Sequence, residues 1–251
     1  MNLRIAAAVF PPVTNSISAI QRMLEQVENA KSQNCDLIIF PEAILGGLDS
    51  LGDYPSDLEI SYQENSPELQ RIREYARRES IGIGFGFLEN ADGLIYDAYM
   101  IYDRTGVPCL HYRRISDTWM PSEVSRDHYA CGEELLISDT PYGRLGILLC
   151  GDLFDEELVQ QLCSQNPNLC LHPIARAFPL TDDIQQSWDE QEFPFYLEEY
   201  RKLKTDVLVC NMLDFTPNDG AIYCGGAWFI RNGQVQNSLP LKQQGLLIVE
   251  V

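Results

Sequence analysis

Positive charge is what this chain has least of. It carries 18 lysines and arginines against 37 aspartates and glutamates, a formal net charge of −19 at pH 7. Such a balance opposes association with nucleic acid phosphates and anionic lipid surfaces, so a nucleic acid or membrane partner is excluded. Lysine is the rarer cation, confined to Lys31, Lys202, Lys204 and Lys242. Long apolar runs are missing too: no window approaches the roughly 20 residues needed to span a bilayer. The opening MNLRIAAAVFPP has a short apolar run that stops at Pro11 and Pro12 without a small-x-small cleavage pattern, and it reads as a first strand rather than an export signal. Three histidines and eight cysteines, at 35, 109, 131, 150, 163, 170, 210 and 224, form no C-x-x-C pair and no ligand-like cluster. A disulfide framework or zinc site is therefore not expected. Without an export signal these thiols suit a reducing cytoplasm, most of them as small buried residues.

What is present is a large apolar fraction, 45% of 251 residues, with no linker to divide it. One domain over residues 1–251 with a sizeable core is the expectation. Short apolar runs recur at residues 3–10, 36–40, 81–87, 96–102, 145–149, 168–173, 206–211, 225–230 and 246–251. Several are apolar continuously rather than alternately, the pattern of strands covered on both faces. Between them lie segments of helical period. Ile17, Ile20, Leu24, Val27 and Ala30 form one stripe behind a cap at Asn15 or Ser16, and Ser66-Pro67 opens another carrying Leu69, Ile72 and Ala76. Asp155, Glu156 and Glu157 suit the first turn of a third helix, with Leu158 and Leu162 inward, and Phe193, Tyr196, Leu197, Tyr200 and Leu203 mark a fourth. Strands and helices alternate in two halves of similar plan, which predicts a layered α/β fold with helices on sheets. The longest irregular stretches, residues 116–132 and 175–192, follow strand ends and are candidates for pocket walls.

Chemistry gathers at two strand ends. The buried run 145–149 leads straight into Cys150-Gly151-Asp152 with a helix soon after. A side chain at such a turn projects from the sheet edge, and the adjacent glycine lets backbone amides approach an incoming oxygen, as a thiol nucleophile requires. Free cysteine is among the most buried residue types, so Cys150 alone reads first as core. Glu42 ends DLIIFPE, where partial desolvation raises a carboxyl's pKa and suits it to take a thiol proton.

Together, LIIFPEAILGG and GILLCGDLFDEE resemble the glutamate and cysteine motifs of the nitrilase superfamily, the carbon-nitrogen hydrolases of amides and nitriles. The resemblance runs over nearly the whole chain, through the opening strand and helix, LIYDAYMIYDRTGVPCLHYRR, LCLHPIA and GGAWFIRNGQVQ, in the family's order. It implies a four-layer α-β-β-α sandwich that pairs into homodimers or larger homo-oligomers. It also implies a Glu general base, a Cys that becomes acylated and a Lys that stabilises the tetrahedral intermediate, with no metal or organic cofactor. Glu42 and Cys150 match the first two. At the place of the lysine, in a Y-R-K-like motif, the chain reads Tyr112-Arg113-Arg114. Arg114 keeps a cation that can hold an oxyanion but cannot relay a proton. The family's second glutamate, seven residues before a glycine, falls on Ser125 ahead of Gly132, with Glu123 two residues away. Asp155 stands for a usual proline and Asp97 for a usual asparagine. These departures point to a divergent site.

The resemblance implies a thiol-dependent hydrolase of small amide or nitrile-like substrates, with Glu42, Arg114 and Cys150 as its catalytic set. The alternative is a non-catalytic member serving as a ligand-binding or assembly module. Minor readings remain beside these. GIGFGF, residues 82–87, has the look of a phosphate loop, but its glycines alternate within a strand and no helix begins there. A Cys150–His172 dyad is conceivable, though a hydrogen-bonding His172 is the simpler reading. TDDIQQSWDEQE reads as a solvated loop whose Trp188 can touch a ligand or neighbouring subunit.

Overall fold

The continuous apolar runs become strands buried on both faces. In the computed structural model, which describes residues 3–11, 16–48, 51–180, 183–218 and 220–251, β1 (Arg4–Val9) is buried from Ile5 onward. Its alternate residues enter different cores: Ile5, Ala7 and Val9 join one cluster, Ala6 and Ala8 another. Helix α1 (Ser16–Ser32) follows, then β2 (Leu37–Ile39), α2 (Tyr54–Glu59), α3 (Pro67–Glu79), β3 (Gly82–Ala91), β4 (Leu94–Tyr102) and β5 (Pro108–Arg113). Asn15, one of the two caps expected for α1, lies outside the described residues; from the expected stripe, Ile20, Leu24, Val27 and Ala30 are buried. For α3, the Ser66 side chain accepts from the Leu69 amide, and Leu69, Ile72 and Ala76 are buried as the pattern requires.

The second half runs β6 (Ile137–Thr140), β7 (Gly143–Ile147), α4 (Glu156–Gln165), β8 (Leu169–Ile174), β9 (Ala177–Pro179), α5 (Ile184–Ser187), α6 (Phe193–Leu203) and β10 (Asp206–Asn211). It closes with β11 (Leu213–Asn218), β12 (Ala221–Cys224), β13 (Ala227–Arg231), β14 (Gln234–Leu239) and β15 (Gly245–Glu250). Two six-stranded sheets result, in the orders β15-β1-β2-β3-β4-β5 and β14-β13-β10-β8-β7-β6, with a small third sheet, β11-β12-β9. Residues of both large sheets share one core, and the outer face of the first sheet packs against α1 and α3 in the other. Leu158, Leu162, Tyr196 and Tyr200 bring α4 and α6 against the second sheet. This is the expected α-β-β-α sandwich. Within it β1, β2 and β3 are mutually parallel, as are β7, β8 and β10.

The two long irregular stretches are more ordered than their sequence suggests. Residues 116–132 contain a 3-10 turn, Asp117–Trp119, and bury Trp119, Met120 and Tyr129 against Leu88 and Ile95. In residues 175–192, β9 pairs with β12, and a π-helical turn, Trp188–Glu192, joins α5 to α6. The expected solvated loop is therefore corrected from Asp183 onward. Trp188 is a core residue, 5.1 Å from the rings of Phe193 and Trp228.

Candidate active site

The parallel strands of both sheets deliver Glu42 and Cys150 in the same way. Each stands three residues beyond a strand, β2 for Glu42 and β7 for Cys150. Each turn also contains a left-handed residue that is not glycine, Ala43 at φ 46° and Cys150 itself at φ 46°. That conformation costs an L-residue roughly 1–2 kcal/mol, a strain that recurs where a side chain must be aimed. The Glu42 turn is held by β3: the Phe40 amide donates to Gly84 O at 2.8 Å and the Gly86 amide to Pro41 O at 3.2 Å. Contact there is so close that a Cβ on Gly86 would stand 2.7 Å from Glu42 Cα. The glycines of GIGFGF are thus packing residues, admitting the Tyr142 and Tyr99 rings and the Glu42 backbone, and the phosphate-loop reading is set aside.

His172 fixes the other turn. Its Nε2 lies 3.0 Å from Cys150 O and its Nδ1 2.7 Å from the Tyr200 hydroxyl. Burial pulls its pKa down to about 4, so the ring is neutral at pH 7. A carbonyl can only accept, so Nε2–H donates to Cys150 O and Nδ1 accepts from Tyr200. The bond to the backbone carbonyl identifies His172 as a brace for the turn and replaces the conceivable dyad with the thiol. Asp152 completes the turn, its carboxylate accepting from Leu149 N, Ser116 N and the Tyr112 hydroxyl.

Arg114, just past β5, is 4% exposed and points its guanidinium into this space. Its Nη1 donates to Glu42 Oε1 at 2.8 Å, Nε to Ser116 Oγ at 2.9 Å and Nη2 to Thr118 Oγ1 at 2.6 Å. Of the five guanidinium N–H groups, two are left for a further acceptor. Gly151, beside the cysteine, makes room for this group: a Cβ there would run into Arg114 Nη2. Glu42 is fully buried, and Asp97 approaches the same guanidinium, with Oδ2 3.5 Å from Nη1. The half-buried Cys150 thiol has its pKa raised by burial first and by the Glu42 charge next, against the opposing pull of Arg114. At rest it is a thiol.

The departures from the family pattern separate in space. Asp155 caps α4, its side chain accepting from Glu157 N and Leu158 N, and has no part in the site. Ser125 closes a surface turn, taking bonds from His128 N and Tyr129 N on its carbonyl, and Glu123 is exposed nearby. Asp97 does belong to the site. Ser116, Thr118 and Asp152 escaped the sequence reading, whereas His172 is the hydrogen-bonding histidine expected; for the hydroxyls the nearest signal was the short run Arg114-x-Ser116-x-Thr118 following the cationic motif. Among the described residues, no group of three or more His, Cys, Asp or Glu side chains is placed to hold a metal ion, and no helix is long and apolar enough to cross a membrane.

An α-β-β-α sandwich with an acid, a cation and a thiol converging beyond its parallel strand ends defines the class. The chain belongs to the carbon-nitrogen hydrolase family, whose model matches residues 4–192, and the nitrilase-superfamily resemblance is borne out. An arylacetonitrilase from Hypocrea virens is 28% identical over 194 residues, 72% of this chain and 57% of that protein. The carbon-nitrogen hydrolase from Helicobacter pylori G27 superimposes with a TM-score of 0.85 at 13% identity, over 100% of this chain and 89% of that one. An amidase from Nesterenkonia sp. AN1 does so at 0.75 and 17% identity, over 99% and 90% of the two chains. That structure is a glutamate-to-leucine variant with the acetamide moiety of fluoroacetamide added covalently at the active-site cysteine. The chain spans about half the length of the curated relatives it matches.

Proposed function

We propose that this protein hydrolyses a carbon-nitrogen bond in a small, non-peptide amide or nitrile-like substrate through an acyl-cysteine. The observation that carries this reading is the buried pairing of Glu42 with Arg114 at 2.8 Å, beside a thiol on a strained turn. Glu42 accepts the Cys150 proton, and the thiolate attacks the amide carbon. The oxygen, now negative, takes the two remaining N–H groups of Arg114 together with backbone amides of the cysteine turn. Glu42 returns the proton to the departing amine, then takes one from the water that releases the acid. The cysteine's part as nucleophile is supported by the acetamide adduct on the active-site cysteine of the amidase from Nesterenkonia, and the arylacetonitrilase from Hypocrea virens supports nitrile-like substrates.

Mass spectrometry tests the reading. Iodoacetamide should label Cys150 ahead of the other seven cysteines, and a slowly turned-over amide should leave an acyl mass on it. Glu42→Gln should lower kcat/KM by roughly 10²–10⁴-fold. Absence of both label and acyl mass during incubation with a broad amide panel would sink it. One observation favours the non-catalytic alternative: the same ion pair engages the base itself. That alternative expects no hydrolysis, with thermal stabilisation by an amide ligand surviving Cys150→Ala.

A further inference from the structure

Charge counting at the site leaves one proton to be placed. Three buried carboxyls, Glu42, Asp97 and Asp152, surround the single guanidinium of Arg114. Three ionised acids against one cation would leave two negative charges in a buried space, which is strongly unfavourable. The donors are unevenly shared. Asp152 accepts from Leu149 N, Ser116 N and the Tyr112 hydroxyl, so its charge is supported although burial works against it. Glu42 receives the guanidinium at 2.8 Å. Asp97 receives only a 3.5 Å approach from it, and neither of its oxygens has a hydrogen-bond partner among the described residues, nor does Glu42 Oε2. The two carboxyls approach the same Arg114 Nη1, at 2.8 and 3.5 Å, and buried acceptors left without a donor on such neighbours call for a proton shared between them.

We propose that Asp97 stands in this site as a neutral carboxylic acid and donates its proton as a hydrogen bond to the Glu42 carboxylate, which makes it the positioning residue for that group. Burial first, and the Glu42 charge second, drive the Asp97 pKa well upward, in keeping with this geometry. The groups facing Asp97 are Glu42, Arg114 and Asp152: the two anions favour the assignment, and the cation, which opposes it, is held closer to Glu42. A carboxylic acid here offers a donor, as a side-chain amide would. The proton assignment stands on the cluster itself; its catalytic consequence rests on the reading of Glu42 as base.

Infrared difference spectroscopy at pH 7 tests the assignment on the whole protein. Wild type minus Asp97→Asn should show a protonated-carboxyl stretch, and incorporation of ¹³C-carboxyl aspartate into the wild type should shift that band. Cys150→Ala should leave it in place. Absence of the band from wild type, or its survival in Asp97→Asn with loss in Glu42→Gln, overturns the proposal. Should the asparagine variant fail to fold, the isotope shift must persist in Asp152→Asn, and its loss there overturns the proposal. In turnover, Asp97→Asn should retain most of kcat/KM while Asp97→Ala loses about 10- to 100-fold, the worth of a hydrogen bond to a charged acceptor. The alkaline fall in rate that comes with ionisation of Asp97 should vanish in the asparagine variant. If no variant hydrolyses anything yet the band behaves as described, the hydrolase reading fails and the proton assignment holds.

Discussion

At Arg114 the guanidinium divides its donors among Glu42, Ser116 and Thr118, and its planar shape lets one group serve all three directions. An ammonium at the same height has three donors but no fixed fork. Arg114→Lys is therefore expected to keep the fold and lower kcat/KM by about 10²-fold, the usual cost of losing one preorganised donor to an oxyanion. A rate equal to or above wild type would mean that arginine adds nothing to the reaction. Glu42, Arg114 and Cys150 were legible as a set because each sits in a short motif at a strand end. Ser116 and Thr118 were not, because a hydroxyl two or four residues after a cation carries no signal until the 3-10 turn at Asp117–Trp119 folds it back. The same holds for Asp152, two of whose partners, Tyr112 and Ser116, lie 40 and 36 residues away in the chain.

At the scale of elements, α4 follows the Cys150 turn and β3 packs against the Glu42 turn, and the two should respond differently to change. Asp155 caps α4 through two backbone bonds, so Asp155→Ala should cost about 1 kcal/mol in urea unfolding, with alkylation of Cys150 unchanged. A loss of labelling on that substitution would show that the cap also holds the thiol. Gly86→Ala on β3 should do the reverse, displacing Glu42 and cutting kcat/KM steeply while circular dichroism stays native. Elements with a buried face were legible from their apolar pattern, as β1 and α3 show. Strands β6 (ISDT) and β14 (QVQNSL) were invisible because they are sheet edges with no fully buried residue, β6 half-buried and β14 largely exposed. The π-helical turn escaped for a related reason: among its five residues only Trp188 is buried, too few for a period to emerge.

Across the whole molecule, pH reaches the site through groups that are far apart in sequence. His172 has a folded pKa of about 4 against about 6.5 unfolded, so its contribution is present above pH 6.5 and lost as pH falls toward 4. Glu89 continues the loss at lower pH: burial opposes its ionisation, but Arg113 and His111 hold its pKa at about 2. Asp97, with its pKa raised, runs the other way: its contribution improves as pH falls from its folded pKa and levels off below the unfolded value of about 3.9. The His172→Gln urea midpoint should therefore gain on that of wild type at each step from pH 7 to 4, because the variant lacks the histidine's loss. An unchanged slope in that variant would show that the histidine is not buried neutral. The layered architecture was legible because alternation of strand and helix constrains it, whereas the histidine's role depends on which face of β8 meets α6, a fact of packing alone.

The pairing of β1 with β15 carries a consequence for how the protein is made. Arg4 sits opposite Glu250 and Val9 opposite Gly245, so β1 borders a strand synthesised after every other strand in either sheet. During vectorial synthesis the alanine-rich edge of β1 is left open while both halves of the sandwich emerge, and it offers unpaired amides to any neighbouring nascent chain. Chains released before residue 245 are expected to aggregate through that edge, visible as light scattering, while chains extending through 250 close it and do not.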